Sequence, residues 1–486
     1  MKLLIFKKIP EYAEDTFQVL FLVYTILGFN SLTFGSPVIS AAMWASWLLG
    51  AGLLLCRLRN WKDYLRMPGL VCLAAMCGIC AVSILLNRQY DFKTNLIYLI
   101  FWVFYFFLFF AQNPRTSMER IKRRFRLLGH ILCASAFLLG VISLVMLVVR
   151  YSEVVEIRGS TVIRGFTHGR LYGAYLTPNG GAVVGSIVIL LSVLFFRRCR
   201  NLWCRVFAAC NALVQFLYIV FSDSRSGNLC LTLGTAVYVL FASIYSPKIR
   251  PGKGKGAVVA ALVVAAAVLS FLAPGAAKNA YNGMIEAVSL RLAANSAQLS
   301  TAPEASGELP EPGMDEELKQ QLLDAYQVDR GYDLSGDISN RRFDIWKSGL
   351  EIFRQRPWFG TTFRGFLPFA MEHLPDTYIV SNDYMPMDTL DNDFVNLLVS
   401  NGILGFGCFV IFVVWVLAVL FRRVFTMADK DPQIPVMMGV CMAAAVCSMF
   451  SSGVLYMQSP FSVLFWLSLG TLVRLASREG KECFHE

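Results

Sequence analysis

Long apolar stretches constrain the fold of this sequence more than any other feature. A stretch of about 20 apolar residues has the length that crosses the hydrocarbon core of a bilayer, and about twelve such stretches occur here. The composition agrees, because only 16% of the residues are charged, against about 25% in soluble domains. The sequence therefore excludes a soluble fold and predicts an all-α, polytopic integral membrane protein with about 12 transmembrane helices. The predicted helices cover residues 16–34, 38–56, 68–86, 96–112, 128–149, 179–197, 203–221, 226–245, 256–275, 396–421, 433–451 and 458–475.

Basic residues are concentrated in alternate loops between these stretches. One set of loops contains CRLRNWKDYLRM, NPRTSMERIKRRFR and FRRCRNLWCR, and the opposite set has far fewer Lys and Arg. Cytoplasmic loops carry the excess of Lys and Arg, so we expect both termini to be cytoplasmic. The net charge of +11 is then a topology signal. It predicts contact with membrane lipid and no nucleic acid partner.

The longest segment between apolar stretches lies on the predicted outer side. It is the only part of the chain long enough to form a domain outside the bilayer. The sequence therefore predicts three parts. Residues 1–275 carry transmembrane helices 1–9 with short loops, residues 276–395 form a large, partly helical outer loop, and residues 396–486 carry helices 10–12 and a cytoplasmic tail.

One helix of this outer loop is predicted to be amphipathic. Apolar side chains recur at helical spacing in SNRRFDIWKSGLEIFRQRPWFG, and Pro357 with Gly360 mark the end of the helix. We expect the helix to lie along a surface with its arginines free. Its predicted apolar face consists of Phe343, Trp346, Leu350 and Phe353.

Charged residues gather at the predicted outer ends of the apolar stretches rather than within them. The turn FSDSRSG places Asp223 and Arg225 between two stretches. A guanidinium offers fixed, paired donors that match phosphate oxygens. If the outer loops converge, their charges suit a phosphorylated lipid whose head group lies at the outer leaflet. The other charged residues of this set are Arg158, Arg164, Arg170, Arg341, Arg342, Asp391 and Asp393.

Each of these residues also has an interpretation without a function in binding or catalysis. Arg225 could anchor a span with Asp223 as its partner. Arg342 could lie on the solvated face of a helix, and Asp391 could cap a helix N-terminus. Trp346 could anchor in the head-group zone instead of stacking on a sugar.

Three sets of short motifs occupy the predicted outer loops. They are GRLYGAYLTPNGGA before a span, SDSRSG between two spans, and SNRRFDIWKSGLEIFRQRPWFGTTFRGF with LDNDFVNLLVSNGILGF in and after the large loop. They resemble the Arg and Pro-Asn element, the Ser-Arg-Gly turn, the Arg-x-x-x-Trp helix, the Pro-x-x-Gly turn and the closing element of one family. This is the O-antigen ligase and polymerase family of bacterial envelope glycosyltransferases. The likeness covers roughly residues 160–420 in the family's order.

The resemblance implies a reaction at the outer face of the bacterial cytoplasmic (inner) membrane. A glycan carried on undecaprenyl diphosphate is transferred to a hydroxyl of an acceptor glycan or glycolipid, without a metal ion or another cofactor. A polymerase uses the next lipid-linked repeat unit as acceptor, whereas a ligase moves finished glycan to a terminal acceptor. The sequence leaves open whether a chain-length regulator is a further partner.

The resemblance also implies roles for individual residues. Arg170, Arg225 and Arg342 match the family's arginine positions and are expected to bind the diphosphate and stabilise the leaving group. Arg341 is the alternative if the register of the Arg-x-x-x-Trp helix differs by one. Asp391 is the expected catalytic base, with Arg342 as its catalytic partner. The expected supporting residues are Asn179, Asp223, Ser224, Trp346 and Asn392.

The residue at the base position favours one branch of the family. Ligases commonly show His-Asn where this chain has Asp391-Asn392. A carboxylate can replace the His as a general base if burial or neighbouring charges raise its pKa. The sequence therefore favours a polymerase over a ligase.

Other classes of protein remain open from the sequence. A polysaccharide flippase also has many spans, but ion-coupled transporters usually place ionisable residues and broken helices near the membrane midplane. The apolar stretches here are nearly free of charge. Peptidoglycan polymerases of cell shape and division share the multispan topology, and the late, long outer loop argues against them. A non-catalytic binding protein is the remaining alternative.

Overall fold

The structure is a computed structural model that describes residues 2–157, 159–247, 249, 254–300, 320, 323–329, 341–382, 386–423 and 430–482. Within these ranges, side chains are described outside 2–11, 293–300 and 478–482. The described chain is mostly helical. Its helices are α1 (Lys2–Gly28), α2 (Pro37–Leu58), α3 (Trp61–Leu65), α4 (Leu70–Leu86), α5 (Phe92–Phe104, continued as a π-helix over Tyr105–Phe110), α6 (Met118–Val148), α7 (Pro178–Arg198), α8 (Leu202–Ser222), α9 (Arg225–Ile244), α10 (Lys255–Ser300), α11 (Arg342–Gln355), α12 (Phe366–His373), α13 (Asp393–Arg423), α14 (Gln433–Ser448) and α15 (Pro460–Glu482).

Helices long and apolar enough to cross a membrane dominate the described residues. Nine of them meet this description, as expected of a polytopic membrane protein, and α4 and α14 are shorter apolar helices. Each apolar stretch found in the sequence overlaps one of the helices. The count of about 12 spans stays a prediction.

A three-stranded antiparallel sheet lies between α6 and α7. Its strands are β1 (Ser152–Ile157), β2 (Ser160–Thr167) and β3 (Arg170–Gly173), in the order β1-β2-β3. His168 and Gly169 form the β2–β3 turn with φ of 48° and 67°, as a two-residue hairpin turn requires. The all-α expectation is therefore wrong for this segment, which was predicted as an outer loop.

Small residues bring α9 and α14 close together in antiparallel orientation. A Cβ at Gly439 would lie 2.8 Å from the carbonyl oxygen of Gly234 and 3.3 Å from the Cβ of Tyr238, whereas a Cβ at Gly234 would lie 3.2 Å from the Cβ of Ala443. Glycine and alanine allow such close approach of helix backbones in membranes. The start of α9 and the end of α14 therefore lie at the same end of the bundle.

A buried ion network ties α1 to α2 and α6 at the opposite end of the bundle. The Glu14 carboxylate lies 2.9 Å from Arg57 Nη2 and 2.9 Å from Arg124 Nη1, and all three side chains are buried. Asp15 pairs with Arg120 at 2.6 Å and also with Arg124. Buried charges require such partners, so this network fixes the N-terminal helix against its neighbours.

Helix α13 is broken at Gly402, where φ is 63° and ψ is −170°. Backbone groups of residues 357–362 pair with the break. The N–H groups of Thr361 and Thr362 donate to the carbonyls of Val399 and Ser400 at 3.0 and 2.9 Å. The N–H of residue 403 donates to the carbonyl of residue 357 at 2.7 Å. The predicted span 396–421 is therefore not one continuous helix.

Helix α11 packs through a different face from the one predicted. Its buried residues are Ile345, Ser348, Gly349 and Ile352, and they pack next to α13. Phe343 and Leu350, which were assigned to the apolar face, are 67% and 43% exposed. Trp346 and Phe353 are partly buried at its edge. The predicted amphipathic helix is present, but its buried stripe is rotated.

The break in α13 requires glycine, and this requirement can be tested. In Gly402→Ala the added Cβ would lie 2.2 Å from the carbonyl oxygen of Trp358, at a φ that L-residues rarely adopt. We expect a lower melting temperature of the purified protein in detergent. Gly407→Ala is the matched control, because nothing lies within 4 Å of its Cβ position and alanine is favoured over glycine in a helix by about 0.5–1 kcal/mol. Equal melting temperatures of the two variants would contradict this account of the break.

Candidate active site

Arg170 lies at the start of β3, and its buried guanidinium joins two helix ends. Its Nε donates to the carbonyl of Ser222 at the end of α8 (3.0 Å), and its Nη2 donates to Oδ1 of Asn179 in the first turn of α7 (3.1 Å). Oγ of Ser224 donates to the same Asn179 oxygen at 2.9 Å. Three residues predicted from two separate motifs, Arg170 and Asn179 from one and Ser224 from the other, therefore form one hydrogen-bonded network.

The turn between α8 and α9 presents Arg225 at a helix N-terminus. Asp223 ends α8 with a left-handed φ of 44°. Oγ of Ser224 accepts from the N–H of Gly227 at 3.1 Å and thereby caps α9. Arg225 is the first residue of α9 and is exposed. Its positive charge adds to the positive end of the helix dipole, and the carboxylate of Asp223 belongs to the same turn.

Lys278 belongs to the same site and was missed by the sequence analysis. Its Nζ lies 3.1 and 3.2 Å from the two carboxylate oxygens of Asp223. Lys278 is carried by α10, which continues as one helix through Pro274 and past the predicted boundary at residue 275. Its position three residues after a predicted span was the available signal.

Part of the predicted outer loop lies against the turn that leads to Arg170. The side chain of Asn282 on α10 pairs with the backbone of Val328, donating to its carbonyl at 2.8 Å and accepting from its N–H at 3.0 Å. A Cβ at Gly169 would lie 2.2 Å from the carbonyl oxygen of Asp329. Residues 323–329 therefore cover the β2–β3 turn.

Arg150 holds this covering segment through aromatic contacts. Its Cζ lies 3.4 Å from the ring centroid of Tyr326 and 4.6 Å from that of Phe166. Its three guanidinium nitrogens are buried. Burial lowers the pKa of Arg150. Attraction between the cation and the ring faces therefore contributes to docking residues 323–329 on the sheet.

Asp391 lies in the loop before α13 with a left-handed φ of 49°. Its N–H donates to Oγ1 of Thr389 at 3.3 Å, but within the described ranges nothing donates to its partly buried carboxylate. The N-cap of α13 is Asn392, whose Oδ1 accepts from the N–H groups of Phe394 and Val395 at 2.8 and 3.1 Å. The capping alternative for Asp391 is therefore wrong, and its carboxylate is available for chemistry.

Burial and two charged neighbours set the protonation of Asp391. Burial raises the pKa of its carboxyl group above the usual range. The positive charge of Arg342 lowers this pKa, and the negative charge of Asp388 raises it. The sum is a raised pKa, which is the direction that suits a general base.

Arg342, rather than Arg341, is the arginine whose charge acts on Asp391. The Cζ of Arg342 lies 5.6 Å from the ring centroid of Phe450, and its Nε is buried without a hydrogen-bond partner among the described residues. The side chain of Arg341 is 61% exposed and lies 3.7 Å from Asp344. The register that assigns the family's arginine to position 342 is thereby favoured.

Two of the expected supporting residues hold the loop around Asp391. Nε1 of Trp346 donates to the carbonyl of Leu390 at 3.1 Å, and Nδ2 of Asn392 donates to the carbonyl of Met449 at 3.1 Å. The indole of Trp346 is thus used to fix the loop. These contacts place both residues in support of Asp391 and give no indication of sugar stacking.

The remaining charged residues of the predicted cluster have other positions. Asp393 is 1% exposed, and its carboxylate accepts from the N–H groups of Val454 and Leu455 at 3.0 and 3.3 Å. Arg164 binds the carbonyl of Ser31 and pairs with Glu153. Both are structural. The prediction for Arg158 lies outside the described residues.

The two groups of site residues lie at one end of the bundle. The guanidinium of Arg342 lies over the ring of Phe450, which follows the end of α14. This end of α14 lies beside the start of α9, where Arg225 is the first residue. The Arg170 network and the Asp391 loop therefore flank the same helix ends. Among the described residues, no group of three His, Cys, Asp or Glu side chains could hold a metal ion.

The two neighbouring carboxylates, Asp391 and Asp393, should respond oppositely to amide substitution. The raised pKa of Asp391 means that its ionised form destabilises the fold, and this cost appears as pH rises through the folded-state pKa. Asp391→Asn should therefore match or exceed the wild-type melting temperature at pH 7, and any gain should vanish at acidic pH. Asp393→Asn replaces one oxygen of a buried carboxyl group that accepts from two backbone N–H groups by an NH₂ donor, and leaving a buried polar group without its partner should cost about 1–3 kcal/mol. Melting curves in detergent at both pH values test this, and a large loss in Asp391→Asn at pH 7 would refute it.

A comparison with protein families covers the part of the chain that carries most of these residues. Residues 210–410 match the family model described as O-antigen ligase. No curated protein matches the chain. The match includes the α8–α9 turn, Lys278, Arg342 and Asp391, whereas Arg170 and Asn179 precede it. Residues 210–410 are thus similar to an O-antigen ligase domain, and this match supports an assignment to the O-antigen ligase and polymerase family.

Proposed function

We propose that this protein is a polymerase of surface polysaccharide of the O-antigen or capsule type. It transfers a glycan from undecaprenyl diphosphate to a hydroxyl of the next lipid-linked repeat unit. The family domain supports glycan transfer of the O-antigen ligase type. The observation that carries the proposal is the partly buried Asp391 carboxylate, which has no hydrogen-bond donor among the described residues and is under the influence of the positive charge of Arg342.

Asp391 is the general base of the proposed reaction. The acceptor hydroxyl oxygen forms a bond to the anomeric carbon of the donor glycan. The bond between that carbon and the diphosphate oxygen breaks, and its electron pair leaves with the diphosphate. The hydroxyl proton moves to the Asp391 carboxylate. General-base catalysis of this kind contributes about 10²–10⁴ in rate, and a pKa raised towards the working pH favours it.

Arg225 and Arg342 bind the diphosphate in this proposal. Arg225 is exposed at the N-terminus of α9. The buried Nε–H of Arg342 has no acceptor among the described residues and can donate to a phosphate oxygen. Guanidinium groups stabilise the charge that develops on the leaving diphosphate. Lys278, paired with Asp223 at the same turn, adds a further cation. Arg170 was expected to bind the diphosphate directly, and its observed bonds favour a supporting role, since they fix the turn that carries Arg225.

We place this site at the outer face of the bacterial inner membrane, with both termini cytoplasmic. The opposite end of the bundle carries the arginines of the buried ion network, Arg57, Arg120 and Arg124. Basic residues near helix ends favour the cytoplasmic side. Lys278 and Arg342, from the predicted outer loop of residues 276–395, then face the compartment in which the lipid-linked repeat units are polymerised.

A ligase that moves finished glycan to a terminal acceptor is the second candidate. The matching family model is described as O-antigen ligase, and the same base and cations would serve this reaction. A polysaccharide flippase receives no support from the comparisons.

The proposed function is tested by complementing a deletion strain of the source bacterium. Arg342→Gln and Asp391→Asn should abolish the activity, whereas Arg341→Gln, at the exposed neighbouring position, is the matched control and should retain it. Each variant is checked for normal abundance in the membrane. Surface glycan is separated by chain length on a gel, and lipid-linked glycan is extracted in parallel.

The distribution of glycan distinguishes the candidates. Single repeat units on the lipid carrier in the Arg342→Gln and Asp391→Asn strains support a polymerase. Full-length polymer retained on the lipid carrier supports a ligase instead. Normal surface glycan in both strains would overturn the assignment of the site.

A further inference from the structure

The loop that carries Asp391 is held from two sides. Oγ1 of Thr389 lies 2.9 Å from Oγ of Ser452, which belongs to the loop that follows α14. On the other side, the carboxylate of Asp388 forms an ion pair with Nη1 of Arg364. Asp388 precedes Asp391 by three residues and is one of the two charges that set the pKa of Asp391. Arg364 therefore contacts the loop at Asp388, the residue whose negative charge raises the pKa of Asp391.

Arg364 is itself fixed by α5. Its N–H donates to Oδ1 of Asn95 at 2.8 Å, and its Nη2 donates to the hydroxyl of Tyr98 at 3.3 Å. Its Cζ lies 5.8 Å from the ring centroid of Tyr98 and 5.4 Å from that of Phe363. A guanidinium held at several points loses little further freedom when it pairs with a carboxylate, so Asp388 pairs with a preset cation.

The backbone around Arg364 is also fixed. Thr361 and Thr362, just before it, pair with the break of α13, and Oγ1 of Thr361 reaches the carbonyl of Val399 at 3.4 Å. The same helix begins two residues after Asp391. Arg364 and Asp391 are therefore positioned by one structural unit, the broken helix and the segment that pairs with it.

We propose that Arg364 is a positioning residue of the transfer reaction, which acts on Asp391 through Asp388. By pairing with Asp388, Arg364 sets the place of the loop that carries the base and screens the negative charge next to it. This inference rests on the proposed function of Asp391 as the general base.

The electrostatic consequence has a definite sign. Two charges act on Asp391: Arg342 from α11 and Asp388 from its own loop. Without the guanidinium of Arg364, the charge of Asp388 is unscreened and the pKa of Asp391 rises. Without the charge of Asp388, the pKa of Asp391 falls. The base must be ionised to accept a proton. The acidic limb of the pH–rate profile therefore moves to higher pH when the pKa of Asp391 rises and to lower pH when it falls.

The test uses the purified full-length protein and undecaprenyl-diphosphate-linked repeat units extracted from the deletion strain. The rate of donor consumption is measured against pH for Arg364→Gln, Asp388→Asn and the double variant. We expect the acidic limb to move to higher pH in Arg364→Gln and to lower pH in Asp388→Asn. The double variant should follow Asp388→Asn, because Arg364 acts through Asp388. Arg354→Gln, an exposed arginine of α11, is the control and should leave the limb in place.

A purely structural role for Arg364 predicts a different result. It would lower the rate or the abundance of the protein without moving the acidic limb, and this outcome would overturn the inference. If Arg364→Gln does not accumulate in the membrane, Arg364→Lys and Asp388→Asn provide the test. Arg364→Lys retains the screening charge and should keep the wild-type limb, and a limb that stays in place in Asp388→Asn would again overturn the inference.

Failure of the inference can be distinguished from failure of the proposed function. If Asp391→Asn consumes donor at the wild-type rate, Asp391 is not the base and the proposed function is wrong at that point. If Asp391→Asn is inactive and the acidic limb is the same in Arg364→Gln and wild type, only the role of Arg364 is wrong.

Discussion

The break in α13 determines the geometry of the site. Backbone N–H and C=O groups within a membrane protein must find partners inside the protein. At Gly402 the break leaves backbone N–H and C=O groups without partners in the helix, and residues 357–362 supply those partners. Helix α4 completes the arrangement, because Ser83 donates to the carbonyl of Ser400 at 3.0 Å and Asn87 donates to that of Gly360 at 3.1 Å. The segment that precedes the break carries Asp391, and the segment that pairs with it connects α11 and Arg342 to Arg364.

Hydropathy predicted the helical bundle because the apolar side chains that face lipid also define the helices. It could not predict the break. The sequence VSNGIL reads as part of one apolar stretch, since Asn and Gly are tolerated in membrane helices whose neighbours satisfy the backbone. The three-stranded sheet had a readable signal in the β-branched residues of STVI and the turn pair His168-Gly169. The segment was nevertheless predicted only as a loop between spans.

The site was predictable where its residues share a short motif and unpredictable where only the fold joins them. Arg170, Asn179 and Ser224 belong to motifs at helix starts, and the structure joins them directly. Lys278, Asp388 and Arg364 become neighbours of the site through α10 and the broken helix. The buried face of α11 was misassigned for a related reason: Gly349 lies in it because Leu390, Val395 and Val399 approach closely, and a count of large apolar residues cannot detect that.

The charges around Asp391 explain how a carboxylate can replace a histidine in the proposed reaction. A cation close enough to stabilise the leaving diphosphate also stabilises the ionised base and so lowers its pKa. Burial without hydrogen-bond donors opposes this effect, and the charge of Asp388 adds to the opposition. When Asp391 accepts the acceptor's proton, it becomes neutral as the diphosphate gains negative charge. The attraction of Arg342 then shifts from the base to the leaving group, which stabilises the transition state more than the ground state.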